Sequence, residues 1–130
     1  MLGNAPLMVF IPVTDVGVAR EFYESTLGLS VMEESPFALV VDANGTKLRI
    51  TPVPDLQPQP FTVAGWEVPD IEAAVGALVA RGVTFKRYDS MDQAPNGVWA
   101  SPNGDLVAWF VDPDGNTLSL TTFASPRRLT

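Results

Sequence analysis

A few side chains in this sequence carry chemistry by type alone. Arg49 is a fixed cation whose planar fork can grip a carboxylate or phosphate through two parallel hydrogen bonds. The alternatives are an ion pair with a neighbouring acid such as Glu67, or a head group that snorkels into water. Glu67 is a candidate general base or a seat for a cationic group, or else a solvated carboxylate. Trp109 and Phe10 can stack on a planar ligand, or belong to a core. Trp99 lies between Gly97 and Pro102, where a loop tryptophan acts as a lid over a site or as an interface anchor.

Composition narrows what these groups can do. The chain has 130 residues, which suits one domain, and contains neither histidine nor cysteine. That removes the commonest metal ligands, the commonest general base near neutral pH and all thiolate chemistry. Ser119 therefore has no histidine to activate it as a nucleophile. A net charge of −7 repels nucleic acid, whose phosphates need clustered lysine and arginine. The one close basic pair is Arg127-Arg128. The acidity favours a cationic ligand or serves only solubility. No apolar run approaches the ~20 residues that span a bilayer, so no membrane partner is expected. The opening MLGNAPLMVF lacks a basic region and a cleavage site, so the expected location is the cytoplasm.

The elements that must position these residues come in two copies. Val13-Thr14-Asp15-Val16-Gly17-Val18-Ala19 is matched 55 residues later by Val68-Pro69-Asp70-Ile71-Glu72-Ala73-Ala74. Each Asp stands where a carboxylate can accept the first free N–H groups of a helix. Apolar residues then recur at spacings of three and four, and Gly28 and Gly82 close the two helices. A second match has an offset of 70: Asp42 to Ile50 against Asp112 to Leu120, each an Asp/Asn/Gly turn followed by an alternating strand. The larger offset requires a 15-residue insertion in the second copy, and the Pro- and Gly-rich stretch 89–104 is its natural place.

These signals predict strands near 7–13, 29–34, 36–42, 46–52, 61–68, 83–88, 105–111 and 117–123, with helices near 16–26 and 71–81. Two modules, about 5–53 and 61–124, are joined by the proline-rich linker 54–60 within a single domain.

Three motifs give the arrangement a resemblance. They are the repeated V-x-D-[VI]-x-x-A run, Phe22-Tyr23 followed by Leu27-Gly28-Leu29, and Ala108 to Asn116 with its Val111-Asp112-Pro113-Asp114-Gly115-Asn116 turn. In this order they resemble the vicinal oxygen chelate superfamily of glyoxalases, bleomycin resistance proteins and extradiol dioxygenases. The resemblance implies an α+β fold in which two βαβββ modules form a cupped mixed sheet around one cavity. It also implies a homodimer, with modules paired within a chain or exchanged across it. Family members place metal ligands seven residues before each capping Asp and four after each turn Gly. Here those positions are Met8, Val63, Arg49 and Ser119. Met and Val do not bind a hard cation, Arg is itself a cation and a lone Ser hydroxyl is a poor ligand. No metal and no cofactor is expected.

Alternation along the strands places Met8, Phe10, Val63, Glu67, Trp109 and Ser119 on the concave face that the resemblance implies, and the repeat adds Phe37 and Leu39. With Arg49 and Trp99, these are the expected ligand-binding residues. The leading expectation is metal-independent sequestration of a small planar or cationic organic molecule in an aromatic cavity. The alternative is a metal-free isomerase or lyase acting on a carbonyl compound, with Glu67 as base and Arg49 as stabiliser.

Overall fold

Turns fix the order of the elements. The computed structural model of the protein describes residues 1–125, so Arg127-Arg128 lies outside the described residues. The chain runs β1 (Met8–Val13), α1 (Val16–Arg20), β2 (Ser30–Ser35), β3 (Ala38–Ala43), β4 (Thr46–Pro52), β5 (Thr62–Glu67), α2 (Ile71–Ala80), β6 (Trp99–Ala100), β7 (Leu106–Val111) and β8 (Thr117–Thr122). The class is α+β, with the β-α-β-β-β order used twice. The chain divides into a first unit, Met1–Pro58 with Asp112–Asp114, and a second, Gln59–Val111 with the chain from Gly115. Among the described residues no helix is long and apolar enough to cross a membrane.

Each unit builds one four-stranded mixed sheet. The orders are β1-β4-β3-β2 and β5-β8-β7-β6, with the first pair parallel and the others antiparallel. The parallel pair is possible because a helix carries the chain back across its sheet. Asp15 caps α1 by accepting from the Val18 N–H at 3.1 Å, and Asp70 caps α2 by accepting from the Ala73 N–H at 3.1 Å. Gly28 and Gly82 end the helical segments with φ of 78° and 94°, the left-handed region that glycine enters at no steric cost.

The helices cover one face of each sheet. In the first unit α1 packs on β3 and β4, over Ile11, Val13, Leu39, Val41, Leu48 and Ile50. In the second, α2 packs on β7 and β8, over Ala108, Phe110, Leu118 and Leu120. Phe85 adds its ring to Phe110 at 5.4 Å.

Two elements differ from the sequence reading. The first helix stays regular only to Arg20, then widens into a π-helical segment, Glu21–Thr26. The strand expected at 83–88 does not form. Val83 and Phe85 alternate because they point into the core, yet the segment contributes a single backbone bond to β7, from the Lys86 N–H to the Trp109 carbonyl at 2.7 Å. The edge strand beside β7 is instead β6, drawn from the inserted stretch.

Tyr23, in the π-helical segment, is fully buried. Its hydroxyl donates to Asp112 Oδ2 at 2.8 Å, while Asp112 Oδ1 accepts from the Asp114 N–H at 3.0 Å. Asp114 in turn accepts from the Thr14 N–H at 3.1 Å and the Thr14 hydroxyl at 2.6 Å. Burial, then the Asp112 charge, pushes the Tyr23 ionisation above the ordinary tyrosine range. The contribution of this contact is therefore complete below about pH 10, the unfolded tyrosine value, and declines above it, because the unfolded chain releases the proton first. Tyr23→Phe is expected to lower stability in urea unfolding at pH 7 by ~1.5–3 kcal/mol. It should also flatten the alkaline decline relative to wild type; parallel curves from pH 8 to 11 would contradict this.

Candidate functional site

The face of each sheet opposite its helix carries the side chains that can meet a ligand. In the first unit Phe10, Arg49 and Val40 lie abreast on β1, β4 and β3. Met8 sits in the next row, opposite Lys47. Met8 is 39% exposed and Phe10 62%, so this face is apolar and open within its unit. Arg49 stands at its centre. Among the described residues of this unit it forms no ion pair, which leaves the guanidinium available.

Two residues expected on this face are elsewhere. Leu39 is fully buried against the helix side, opposite Ile50, and Val40, itself largely buried, takes the place beside Arg49 on the opposite face. The cause is a one-residue difference between the hairpins. Four residues separate the paired Asp42 and Lys47, whereas five separate the paired Val111 and Thr117. Carrying Trp109 back by 70 therefore lands one residue short, and a slip of one reverses the face. Phe37 precedes β3, in the turn where the Ser35 hydroxyl accepts from the Phe37 N–H at 3.2 Å. It is 74% exposed at the hairpin tip rather than on the sheet face.

In the second unit the open face is richer. Gly65, Ser119 and Trp109 lie abreast on β5, β8 and β7. Glu67, Thr121, Val107 and Trp99 form the next row, reaching onto β6. Trp99 is thus an edge-strand residue beside Trp109, with ring centroids 6.1 Å apart, rather than a loop residue. Val63 is displaced by a bulge: Thr62 stands opposite Thr117 and Ala64 opposite Leu118, so Val63 is the extra residue between them. Thr62 takes the position expected of Val63.

Beside Trp109 opens a cavity of about 230 Å³. Its apolar lining is Trp109, Phe61, Met91 and Pro60, with Tyr88 set edge-on to Trp109 at 5.5 Å. Thr62, Tyr88, Ser90 and Thr117 supply hydroxyls, and among the described residues no carboxylate lines it. Glu67 shares the sheet face but does not line this space; it is exposed, opposite Thr121. Sequence reasoning missed Thr117, although it is two residues before Ser119 on the same strand and face. It also missed Tyr88, which closes the strand expected at 83–88 but was given no face there, and which the structure leaves outside regular structure.

The positions that the resemblance assigns to a metal do not fit one. Met8 and Arg49 in the first unit offer a thioether and a cation, with Lys47 adjacent. In the second, Val63 has no donor atom, and Ser119 is buried against Gly65. Among the described residues no group of three or more acidic side chains is placed to hold an ion.

Comparison with known proteins agrees with the fold. The family model described as Glyoxalase/Bleomycin resistance protein/Dioxygenase superfamily matches residues 6–120. A glyoxalase family protein from Enterococcus faecalis is similar in structure, with a TM-score of 0.74 at 19% identity, over 93% of this chain and 99% of that one. A superfamily member from Sphaerobacter thermophilus DSM 20745 gives 0.72 at 24% identity, over 95% and 100%. TnmS3, an antibiotic binding protein from Streptomyces sp. CB03234, gives 0.69 at 25% identity, over 94% and 98%. No curated protein matches the sequence.

Ser119 leaves no room for a side chain on Gly65. A Cβ on Gly65 would lie 2.5 Å from the Ser119 Oγ but 3.8 Å from the Ser119 Cβ. Gly65→Ala is expected to destabilise by ~1–3 kcal/mol through overpacking. Ser119→Ala in the same chain should restore most of that loss. A double-mutant cycle by chemical denaturation checks it, and additive effects would refute the contact.

Proposed function

Because this chain belongs to the Glyoxalase/Bleomycin resistance protein/Dioxygenase superfamily, we propose that it binds a small planar organic molecule, without a metal, in the aromatic cavity of its second module. One observation carries the reading. Trp109 stands on an open sheet face between Tyr88 and Trp99, at the wall of a cavity with four hydroxyls and, among the described residues, no carboxylate. An indole held by neighbouring rings presents its π-face at low entropic cost. The hydroxyls donate or accept and so fix the orientation of a polar edge.

The lining also selects between the two ligand types that the net charge and the aromatics allow. Among the described residues no carboxylate lines the cavity to pair with a cation, and the Lys86 ammonium already lies 5.7 Å from the Tyr88 ring centroid, so a second positive charge there is disfavoured. A neutral planar molecule loses little on transfer. The volume of about 230 Å³ suits one or two fused rings, since ~150 Å³ accommodates benzene. The side chains of Met8, Arg49, Val63 and Ser119, which include no carboxylate or imidazole, support metal independence. TnmS3, an antibiotic binding protein, gives a precedent for small-molecule binding on this fold. We further propose a cytoplasmic homodimer of single-domain chains, with modules at about 5–53 and 61–124; the twofold β-α-β-β-β order supports the two modules.

Titration of metal-free protein with 2-naphthol, quinoline and 1,4-naphthoquinone by calorimetry tests this. At least one is expected to bind at a single site, and Trp109→Ala should weaken it by about 2 kcal/mol, roughly 30-fold in Kd. Absence of saturable binding across the set, or binding indifferent to Trp109→Ala, would overturn the proposal.

A further inference from the structure

The cavity wall formed by Tyr88, Ser90 and Met91 belongs to no helix or strand, yet it is held in place. Its support is one buried side chain. Gln93 is 9% exposed and uses its whole amide. Its Oε1 accepts from the Tyr88 N–H at 2.7 Å. Its Nε2 donates to the Lys86 carbonyl at 3.0 Å and to the Gly97 carbonyl at 2.7 Å. The partners dictate this orientation, since two are acceptors and one is a donor.

The backbone of Gln93 reaches the other flank of the site. It forms an antiparallel bridge to Trp99. The residue therefore joins both aromatic neighbours of Trp109: Tyr88 through its side chain and Trp99 through its main chain. Around it, Arg87 donates to the carbonyls of Ala94 and Gln93, and the Ala94 N–H donates to the Val98 carbonyl at 2.8 Å. Glu72 on α2 accepts from the Asn96 amide at 2.6 Å, which ties the same stretch to the helix.

We infer that Gln93 is a positioning residue of the binding site, fixing the Tyr88 wall and Trp99 on either side of Trp109. It touches no ligand, because it does not line the cavity. It acts by preorganisation: a wall already in place loses less freedom on binding, so affinity rises without a new contact. A buried amide also specifies a single arrangement, because displacing it leaves one N–H and two carbonyls without their partner in a low-dielectric interior. This inference rests on the reading of the cavity as the ligand site, but the pinning itself is measurable without a ligand.

Gln93→Met keeps the length and volume of the side chain and removes its three hydrogen bonds. The full-length variant is compared with wild type well below the unfolding temperature, with far-UV circular dichroism as the control for folding. Two arms are read. In the free protein, the variant should lose amide-exchange protection at Tyr88 and the near-UV circular dichroism of the Tyr88–Trp109 pair, while far-UV signal and exchange along β7 and β8 stay unchanged. With 2-naphthol, quinoline or 1,4-naphthoquinone, whichever wild type binds, affinity should fall about tenfold or more.

A variant that unfolds more readily yet binds as tightly as wild type at low temperature would reduce Gln93 to a stability residue and overturn the inference. So would retained Tyr88 protection. Should wild type bind none of the three compounds, the proposed function fails, and the ligand-free arm alone decides whether Gln93 pins the wall. Gln93→Leu, which lacks the same bonds, serves if Gln93→Met does not fold. Agreement of both arms in either variant supports the positioning role.

Discussion

A single helix can bury only one face of a four-stranded sheet, and both modules of this protein are built under that constraint. Side chains on a strand point alternately to opposite faces, so covering one face leaves the other to a different fate. Here the covered faces take Ile11, Ile50, Leu39, Phe110, Leu118 and Leu120. The uncovered ones take Phe10, Arg49, Trp109, Ser119 and Glu67. The candidate site depends on this partition, and the partition depends on register alone.

Register is set by turns, which explains where the sequence could be read and where it could not. The caps at Asp15 and Asp70 announce themselves by residue type, position and repetition, and both accept the expected amide hydrogen bonds. The faces of β1, β7 and β8 follow from alternation once those helices are placed. Leu39 was misread because one hairpin is a residue shorter than its copy, a difference that composition hides. Val63 was misread because a bulge consumes one residue of β5. Neither event leaves a sequence signal, since an extra residue in a strand looks like any other.

The inserted stretch of the second copy shows a different limit. It lies in a Pro- and Gly-rich segment, and its composition suggests an unstructured connection. It contains instead a two-residue edge strand and the buried amide of Gln93. Polar residues inside loops are legible only through their partners, and those partners are backbone groups of no particular residue type. The aromatic side chains around Trp109 thus come from three kinds of local structure: a regular strand, a short edge strand and irregular chain. Only the first was accessible to reasoning from periodicity.

The most direct test uses the three tryptophans as reporters of the two faces. Trp99 and Trp109 lie on the open face of the second sheet, whereas Trp66 pairs with Leu120 on the covered one. In a nitrogen-15 spectrum of metal-free protein, adding a two-ring planar compound is predicted to shift the indole N–H resonances of Trp99 and Trp109 while that of Trp66 stays in place. A ligand that shifts Trp66 alone, or that shifts any of them only after a divalent metal is supplied, would contradict the account.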